Sequence, residues 1–256
     1  MENYRMEGDD MYDVLAGFYD RFQDVDYDAF ADYYEAVFQR FGISPELVLD
    51  LGCGTGNITL PLARRGYEMI ALDASEEMLR FAMEKAKAEG QDILFLHQDM
   101  TAFELYGTVD AMVCALDGVN YLTGDGDMAA MLKLLHYYLN PGGILIFDIN
   151  TPYKFREILD GNTFIYDEED AYCVWENELD EETGICYFDL TFFLNNADGT
   201  YTRREEYQEE RIYAVEELTE TIWDCGLECL GVFDNLTFEE PKPDSERVFF
   251  VVRRPV

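Results

Sequence analysis

The stretch VLDLGCGTGNITLPLA, residues 48–63, places three glycines at alternate positions between two apolar segments. The segment before them, Val48 to Leu51, has the composition of a buried strand, and the apolar residues after them recur at helical spacing. Glycine has no Cβ and adopts positive φ readily, so Gly52, Gly54 and Gly56 leave bare backbone in the turn. The stretch therefore predicts a strand, a tight turn that a ligand can approach closely, and a helix whose first N–H groups face that ligand.

The residues around the turn distinguish between two ligand classes. The dinucleotide fingerprint GxGxxG requires a third glycine at position 57, where this chain has Asn57. Asp50, two residues before Gly52, would repel a pyrophosphate but can accept a hydrogen bond from an ammonium group. S-adenosylmethionine carries an ammonium group and no phosphate, so it is the cofactor that the charge pattern favours. An NAD-dependent enzyme is the disfavoured alternative.

Short apolar segments alternate with helical patterns up to residue 150, which is typical of a parallel sheet covered on both faces. The predicted strands are 46–51, 67–73, 92–98, 109–116 and 143–150, and the predicted helices between them are 57–65, 75–90 and 125–140. Ligands of such sheets bind at the carboxyl ends of the strands. Four aspartates fall at these ends, namely Asp50, Asp73, Asp99 and Asp117.

The two ends of the chain follow other patterns. Two helices are predicted within residues 11–41, the second capped by Asp28 and ended by Gly42. Residues 163–213 alternate in hydrophobicity and contain turn sequences, which predicts an antiparallel unit of three or four strands. A helix over 214–227 and two final strands complete the chain.

The chain has 256 residues, with 18 basic and 54 acidic residues and a formal net charge of −36. Such a surface repels phosphate backbones and anionic headgroups, so nucleic acid is a disfavoured partner and no membrane association is expected. No apolar run approaches the ~20 residues that span a bilayer. The acidic start of the sequence lacks the features of a secretory signal, so we expect a cytoplasmic protein.

The six cysteines have no CxxC spacing, and the two histidines do not lie near them in the sequence. This pattern offers no cluster of zinc ligands, so no metal is expected. The cysteines are predicted to be free, mostly buried thiols. His97 and His136 are predicted to have structural roles rather than catalytic ones.

The segments VLDLGCGTG, ALDAS, HQDM, CALDGVNYL and NPGGILIFDIN resemble the successive motifs of class I S-adenosylmethionine-dependent methyltransferases. The resemblance covers roughly residues 10–155. It implies an α/β fold with a Rossmann-like, seven-stranded, mostly parallel sheet, a reversed last strand and helices on both faces. Small bacterial members of the family carry an antiparallel lobe after the fifth strand, and residues 163–213 match that architecture.

The resemblance also implies which residues meet the cofactor. Asp50 and the glycine turn would lie by the methionine moiety, Asp73 would hold the ribose, and Asp99 with Met100 would meet the adenine. The segment around Tyr12 and Tyr19 resembles the lid of small bacterial members. The expected cofactor-binding residues are Tyr12, Tyr19, Asp50, Gly52, Cys53, Gly54, Gly56, Asp73, Ala74, Met78, Asp99, Met100 and Leu116.

Methyl transfer from a sulfonium is an in-line displacement, for which a protein mainly supplies proximity, alignment and exclusion of water. A general base is needed only where the acceptor must lose a proton. Asp117 is the candidate for a residue near the transferred methyl, with a turn-forming role as the alternative. The residues expected at the acceptor site are Asn120, Tyr121, Asn150 and Trp175; core packing is the alternative for Trp175.

We therefore predict an N-terminal helical lid (1–42), a Rossmann-like core (43–160 and 214–256) and an antiparallel β insert over the acceptor site (161–213). The predicted function is transfer of a methyl group to a small-molecule acceptor, by a monomer or homodimer. The alternative is a protein of the same fold that binds S-adenosylmethionine as a sensor or partner-binding module and transfers nothing. A protein acceptor also stays open.

Overall fold

A computed structural model describes residues 20–21 and 25–256. The helices of this part are α1 (Tyr27–Phe41), α2 (Thr59–Arg64), α3 (Glu76–Glu89), α4 (Asp127–Tyr138) and α5 (Val215–Asp224). The strands are β1 (Leu47–Leu51), β2 (Glu68–Asp73), β3 (Leu94–His97), β4 (Val109–Cys114), β5 (Leu139–Asn150), β6 (Thr163–Asp167), β7 (Ala171–Asp180), β8 (Ile185–Asn195), β9 (Tyr201–Arg211), β10 (Glu228–Asp234) and β11 (Arg247–Arg253). A 3-10 turn spans Gly118–Tyr121 and a π-helical turn spans Lys154–Leu159.

The larger sheet has seven strands in the order β10-β11-β5-β4-β1-β2-β3. Strands β1 to β5 pair in parallel, whereas β11 runs antiparallel to both of its neighbours. The predicted fold class, with its reversed last strand, is therefore confirmed. The order changes direction between β1 and β4, and ligands of open α/β sheets bind outside the carboxyl ends of the strands at such a point.

Successive side chains of β1 enter two different apolar layers, because strand side chains alternate between faces. Leu49 packs on the side of α4 and α5, with Leu132 and Ile222. Val48 packs on the opposite side, with Tyr34 of α1 and Leu62 of α2. The sheet is thus covered on both faces, which is why its central strands are apolar almost throughout.

The boundaries of α1 differ in one respect from the prediction. The expectation that Asp28 caps this helix is wrong, because Asp26 Oδ1 accepts the N–H of Ala29 at 3.0 Å. Asp28 instead lies in the first turn and pairs with Arg65 at 2.9 Å. Gly42 ends the helix at φ +70°, as predicted. The other helix predicted within 11–41, together with Tyr12 and Tyr19, falls almost wholly outside the described residues.

Strand β5 is longer than predicted. It begins at Leu139, directly after α4, and so includes the NPGG sequence, within which Gly142 has φ of +83°. Pairing with β4 shifts register between Val109 and Ala111 at this point. A Cβ on Gly143 would lie 2.6 Å from the Asp110 carbonyl oxygen, so glycine is needed for the close approach of the two strands.

The second sheet, called the lobe here, has the order β6-β7-β8-β9 with every pair antiparallel. This confirms the inserted antiparallel unit. One face of the lobe packs its apolar side chains, including Phe188 and Phe192, against Phe155 of the π-helical turn. The lobe therefore has a small core of its own beside the larger sheet.

The six cysteines are free thiols, and four of them, Cys53, Cys114, Cys173 and Cys186, are buried. Within residues 20–21 and 25–256, no group of three or more histidine, cysteine or acidic side chains is arranged to hold a metal ion. No helix in the same residues has the length and apolar character needed to cross a membrane.

Candidate functional site

The turn after β1 holds its three glycines in the left-handed region, with φ of +66° at Gly52, +54° at Gly54 and +82° at Gly56. A Cβ on Gly56 would lie 3.2 Å from the Cβ of Ala82 in α3, so packing also demands glycine there. Among residues 20–21 and 25–256, no atom lies within 4 Å of the position that a Cβ on Gly54 would occupy. The backbone at Gly54 is therefore open to direct approach by a ligand.

Asp50 lies on β1 just before this turn and is 1% exposed. Its Oδ2 accepts a hydrogen bond of 2.5 Å from the Thr59 hydroxyl. Burial raises the pKa of Asp50 to about 7, and the nearby Asp73 carboxylate adds to the rise. A cationic group placed beside Asp50 would be attracted and would favour the ionised form.

Asp73 ends β2 and ties the glycine turn to the neighbouring strand. Its Oδ2 accepts the N–H of Gly54 at 2.7 Å, and its Oδ1 accepts the N–H of Ser75 at 2.8 Å. Burial raises the pKa of Asp73, although these hydrogen bonds oppose the rise. An ionised carboxylate has about four acceptor positions, so Asp73 can still receive the two hydroxyls of a ribose.

His97 lies at the end of β3, beside the segment that follows Asp73. Its Nε2 lies 2.9 Å from the Ala74 carbonyl oxygen. This contact joins two backbone segments and is consistent with the structural role predicted for the histidine.

Asp99 and Met100 follow β3. Asp99 is exposed, and its Oδ1 accepts both the N–H and the hydroxyl of Thr101, at 2.6 and 2.7 Å. The Met100 methyl group lies 3.0 Å from the position that a Cβ on Gly52 would occupy. Met100 therefore packs against the glycine turn, and Asp99 lies at the same edge of the sheet.

The predicted cofactor residues that the structure describes lie in β1 or β2 or shortly after β1, β2, β3 or β4, except Met78, which lies in the first turn of α3. Two of them face inward: the side chains of Cys53 and Met78 are 7% and 3% exposed. Ala74 is exposed, and Leu116 has φ of +55° in the segment after β4.

Sequence reasoning missed a polar contact that Asp20 makes with the glycine turn. Asp20 Oδ1 accepts from the Thr55 hydroxyl at 2.6 Å and from Asn57 Nδ2 at 2.7 Å, and its other oxygen pairs with Lys85 of α3. Burial opposes ionisation of Asp20, but these partners outweigh it and lower the pKa of the carboxyl. The four residues are widely separated in the sequence, so no local pattern indicates the contact.

Asp117 belongs to an ion cluster with Asp148 and Arg247, in which Asp148 is fully buried and the other two side chains are mostly buried. The Asp148 carboxylate accepts the N–H groups of Leu116 and Asp117, both at 2.9 Å. Arg247 contacts Asp117 Oδ1 at 2.6 Å and also pairs with Asp148. Burial would raise the pKa of Asp117, but Arg247 overcomes it and lowers the pKa. A carboxylate held in this way is a weak base, which favours a structural role for Asp117 over a general-base role.

The structure brings Asn120, Tyr121 and Asn150 together against the lobe. Asn120 is fully buried, and it accepts the Asn150 N–H at 3.0 Å and donates to the Arg211 carbonyl at 2.9 Å. Tyr121 donates to Gln208 Oε1 at 3.0 Å. Asn120 thus connects β9 to the end of β5, and Tyr121 contacts the same strand of the lobe.

Trp175 lies on β7 and packs, partly buried, against the core of the lobe. Its ring packs edge-to-face on Phe188, with centroids 5.4 Å apart, and stacks near Tyr166 at 6.3 Å. Its Nε1 is buried and has no hydrogen-bond partner in the part of the chain that the structure describes. Core packing, the alternative for this residue, accounts for the ring but not for the indole N–H.

Comparisons with known proteins agree with this geometry. Residues 48–143 match the family model described as a methyltransferase domain. The putative methyltransferase YqeM of Bacillus subtilis (strain 168) is 36% identical over 248 residues, which are 95% of this chain and 97% of that protein. The chain therefore belongs to the class I S-adenosylmethionine-dependent methyltransferases, and S-adenosylmethionine is the cofactor of that family.

Two further relatives extend the comparison. The crystal structure of an S-adenosylmethionine-dependent methyltransferase from Clostridium acetobutylicum ATCC 824 is 29% identical, with a TM-score of 0.86 over 96% of this chain and 99% of that chain. The glycine/sarcosine N-methyltransferase of Halorhodospira halochloris is 26% identical over 75% of this chain and 76% of that protein. The similarity thus includes the lobe as well as the residues of the family model.

Proposed function

We propose that this protein transfers the methyl group of S-adenosylmethionine to a small-molecule acceptor, in the cleft between the carboxyl edge of the seven-stranded sheet and the lobe. The glycine turn, with Asp50 and Asp73 beside it, is the observation that carries the proposal. The cofactor supplies an activated methyl group on a sulfonium. The protein binds and aligns the cofactor and the acceptor, and it excludes water from the reaction.

The residues at the sheet edge support binding of that cofactor. The open backbone at Gly54 gives room for close approach, and the buried Asp50 carboxylate attracts an ammonium group. Asp73 offers acceptors for ribose hydroxyls, and Asp99 offers one for the adenine amine. Cys53, Ala74, Met78, Met100 and Leu116 are proposed to complete the cofactor site by packing.

The division of the chain follows from these roles. We propose that residues 1–42 act as a lid, that 43–160 and 214–256 form the cofactor-binding core, and that 161–213 cover the acceptor. A small acceptor is supported by the relative that methylates glycine and sarcosine. The net charge of −36 disfavours nucleic acid as the acceptor.

Calorimetry and a turnover assay test the proposal together. S-adenosylmethionine should bind the full-length protein with micromolar affinity, whereas NAD should give no heat. The Asp73→Asn variant should bind the cofactor at least about tenfold more weakly, because charge-assisted hydrogen bonds are lost. Asp92→Asn, an exposed aspartate before β3, is the matched control and should bind like the wild type.

Turnover is measured as S-adenosylhomocysteine formed with a broad panel of metabolites. Formation with at least one small acceptor is the expected result. Tight cofactor binding without turnover on any acceptor would favour a sensor, and binding of NAD in place of S-adenosylmethionine would overturn the assignment of the site.

A further inference from the structure

Glu210 is a buried acidic residue near the end of β9, the strand of the lobe that contacts the larger sheet. The residue is 2% exposed, whereas its neighbour Glu209 is exposed. The residue opposite Glu210 on β8 is Cys186, a buried thiol in the core of the lobe. An ionised carboxylate is costly to bury in such a place unless a cation pairs with it.

The two cations that act on this place have other partners. Arg247 pairs with Asp117 and with Asp148. Lys154 donates to Asn150 Oδ1 at 2.8 Å. The charge of the buried glutamate is therefore not balanced by an ion pair of its own, and a proton is the remaining way to balance it.

The hydrogen bonds of Glu210 show where this proton lies. Its Oε2 accepts from Asn150 Nδ2 at 3.0 Å, and a second hydrogen bond joins its carboxyl group to that of Asp117. Two ionised carboxylates are acceptors only, so a hydrogen bond between them requires one proton. Asp117 lies 2.6 Å from Arg247, which keeps it ionised. Glu210 is therefore the donor and Asp117 the acceptor; together they are called the acid pair here.

The electrostatic surroundings agree with this assignment. Burial raises the pKa of Glu210 well above its usual value and the Asp117 carboxylate adds to the rise, whereas Asn150 and Lys154 oppose it. The other charged or titratable side chains around the acid pair are Tyr121 of the 3-10 turn, Asp148 of β5, Cys186 of β8, Arg247 of β11 and Glu206 of β9 itself.

The acid pair connects the lobe to the carboxyl edge of the larger sheet. Glu210 belongs to β9, and Asp117 follows β4 in a segment where Leu116 and Asp117 both have positive φ. Loss of the proton would leave two carboxylates in contact across this junction, and they would repel each other. The junction is therefore stable only while Glu210 is protonated.

From these contacts we propose that one proton, held by Glu210 and donated to Asp117, fastens the lobe to the edge of the larger sheet, and that the lobe opens more readily as pH rises. The inference goes beyond the proposed function and does not depend on it. If the lobe covers the acceptor, pH sets how often the cleft is open.

The direction of the pH effect follows from linkage. In the closed lobe the pKa of Glu210 is raised, whereas in an opened lobe it returns to about 4.3, the value of a solvated glutamate. Between these two values the closed state holds a proton that the opened state has released. Each unit of pH within this window therefore favours the opened state by up to about tenfold.

Hydrogen exchange of the full-length protein, followed by mass spectrometry, tests the inference between about pH 5.5 and about pH 8. Exchange rates are corrected for the chemical rate at each pH, so that they report the opening equilibrium. Opening of β9 in the wild type should rise by up to about tenfold per pH unit. Peptides of β1 provide the reference for unfolding of the whole chain.

Glu210→Gln is the decisive variant, because an amide donates to Asp117, accepts from Asn150 and does not titrate. Its opening of β9 should depend on pH much less steeply than that of the wild type and should be the smaller of the two at pH 8. Glu209→Gln removes the same charge from the exposed face of β9 and should keep the wild-type pH dependence.

Glu210→Met separates the proton from the shape of the side chain. It removes both hydrogen bonds of the acid pair, so β9 should open at least about fivefold more readily than in Glu210→Gln at every pH. Equal pH dependence in the wild type and Glu210→Gln, or opening of β9 that does not change with pH in the wild type, would overturn the inference. None of these measurements uses cofactor or turnover, so failure of the proposed function would leave their outcome unchanged.

Discussion

Asp50 is a carboxylate whose ionisation is opposed by its own surroundings. Burial and the nearby Asp73 raise its pKa to about 7. In the unfolded chain an aspartate titrates near pH 4, so between about pH 4 and 7 the folded protein holds a proton that the unfolded chain has lost. By linkage, this group lowers the free energy of unfolding as pH rises through that window. A bound cation offsets the cost.

We predict that the affinity for S-adenosylmethionine rises between pH 5.5 and pH 7.5, because ionised Asp50 attracts the ammonium group of the cofactor. Asp50→Asn should weaken binding about tenfold at pH 7.5, which is typical of a lost charge-assisted hydrogen bond, and should flatten the pH dependence. Calorimetry at several pH values measures this. Glu68→Gln, an exposed change on β2, is the control, and a wild-type affinity that does not vary with pH would contradict the role of Asp50.

The sequence predicted where the aspartates of the site lie better than it predicted which residues contact them. The aspartates at the strand ends were predicted because strand, turn and charge are local patterns. Their partners did not follow from those patterns: Thr59, nine residues along the chain, donates to Asp50, and Arg247, from the last strand, pairs with Asp117. The predicted N-cap of α1 was wrong for a related reason. Asp26 and Asp28 both suit the start of a helix, and the choice between them depends on where the chain enters the helix.

Arg247, the first residue of β11, connects this strand to two other segments of the sheet. Arg247 joins β11 to Asp148 of β5 and to Asp117 in the segment after β4. Asp117 and Leu116 both have positive φ, so this segment adopts a conformation that its own side chains do not favour. The ion cluster thus holds a strained segment at the edge where ligands bind.

We predict that Arg247→Met lowers the free energy of unfolding by about 3–5 kcal/mol at pH 8, because the fully buried Asp148 and the mostly buried Asp117 lose their cation. The loss should shrink as pH falls, since protonation removes the uncompensated charge. Urea denaturation followed by circular dichroism measures both effects. Arg253→Met, at the other end of β11, serves as the comparison and should cost less, and a loss below about 1 kcal/mol for Arg247→Met would contradict this role of Arg247.

The hydrophobic period of the sequence predicted which segments are strands and which are helices. It did not predict the exact residues at which they begin and end. The alternation of apolar strands with helices predicted the central sheet, and turn sequences predicted the lobe. The polar pattern of β9 did not indicate which face would be buried, because Glu206, Gln208 and Glu210 are as polar as Glu205 and Glu209. Only packing of the lobe against β5 decides that the former face inward.

The whole molecule is strongly acidic, with 54 acidic residues against 18 basic ones. Many basic side chains are engaged in ion pairs, such as Arg65 with Asp28 and Asp32. Exposed ion pairs contribute little to stability. Repulsion among the remaining carboxylates therefore dominates the electrostatics of the folded surface.

We predict that Tm rises by several degrees between 0.05 and 1 M NaCl, because salt shortens the Debye length from about 14 Å to about 3 Å and screens this repulsion. Differential scanning calorimetry provides the measurement. Sucrose at matched osmolality is the control for general exclusion effects, and a Tm that stays constant or falls with NaCl would show that attractive pairs dominate instead.

The free thiols have a practical consequence, because they are distributed between the two sheets. Cys173 and Cys186 lie in the core of the lobe, whereas Cys53 and Cys114 lie in or beside the larger sheet. A thiol reagent reaches each pair only when the surrounding structure opens. The native cysteines therefore report on local opening. Faster labelling of Cys173 and Cys186 than of Cys53 and Cys114 would show that the lobe opens while the larger sheet stays folded.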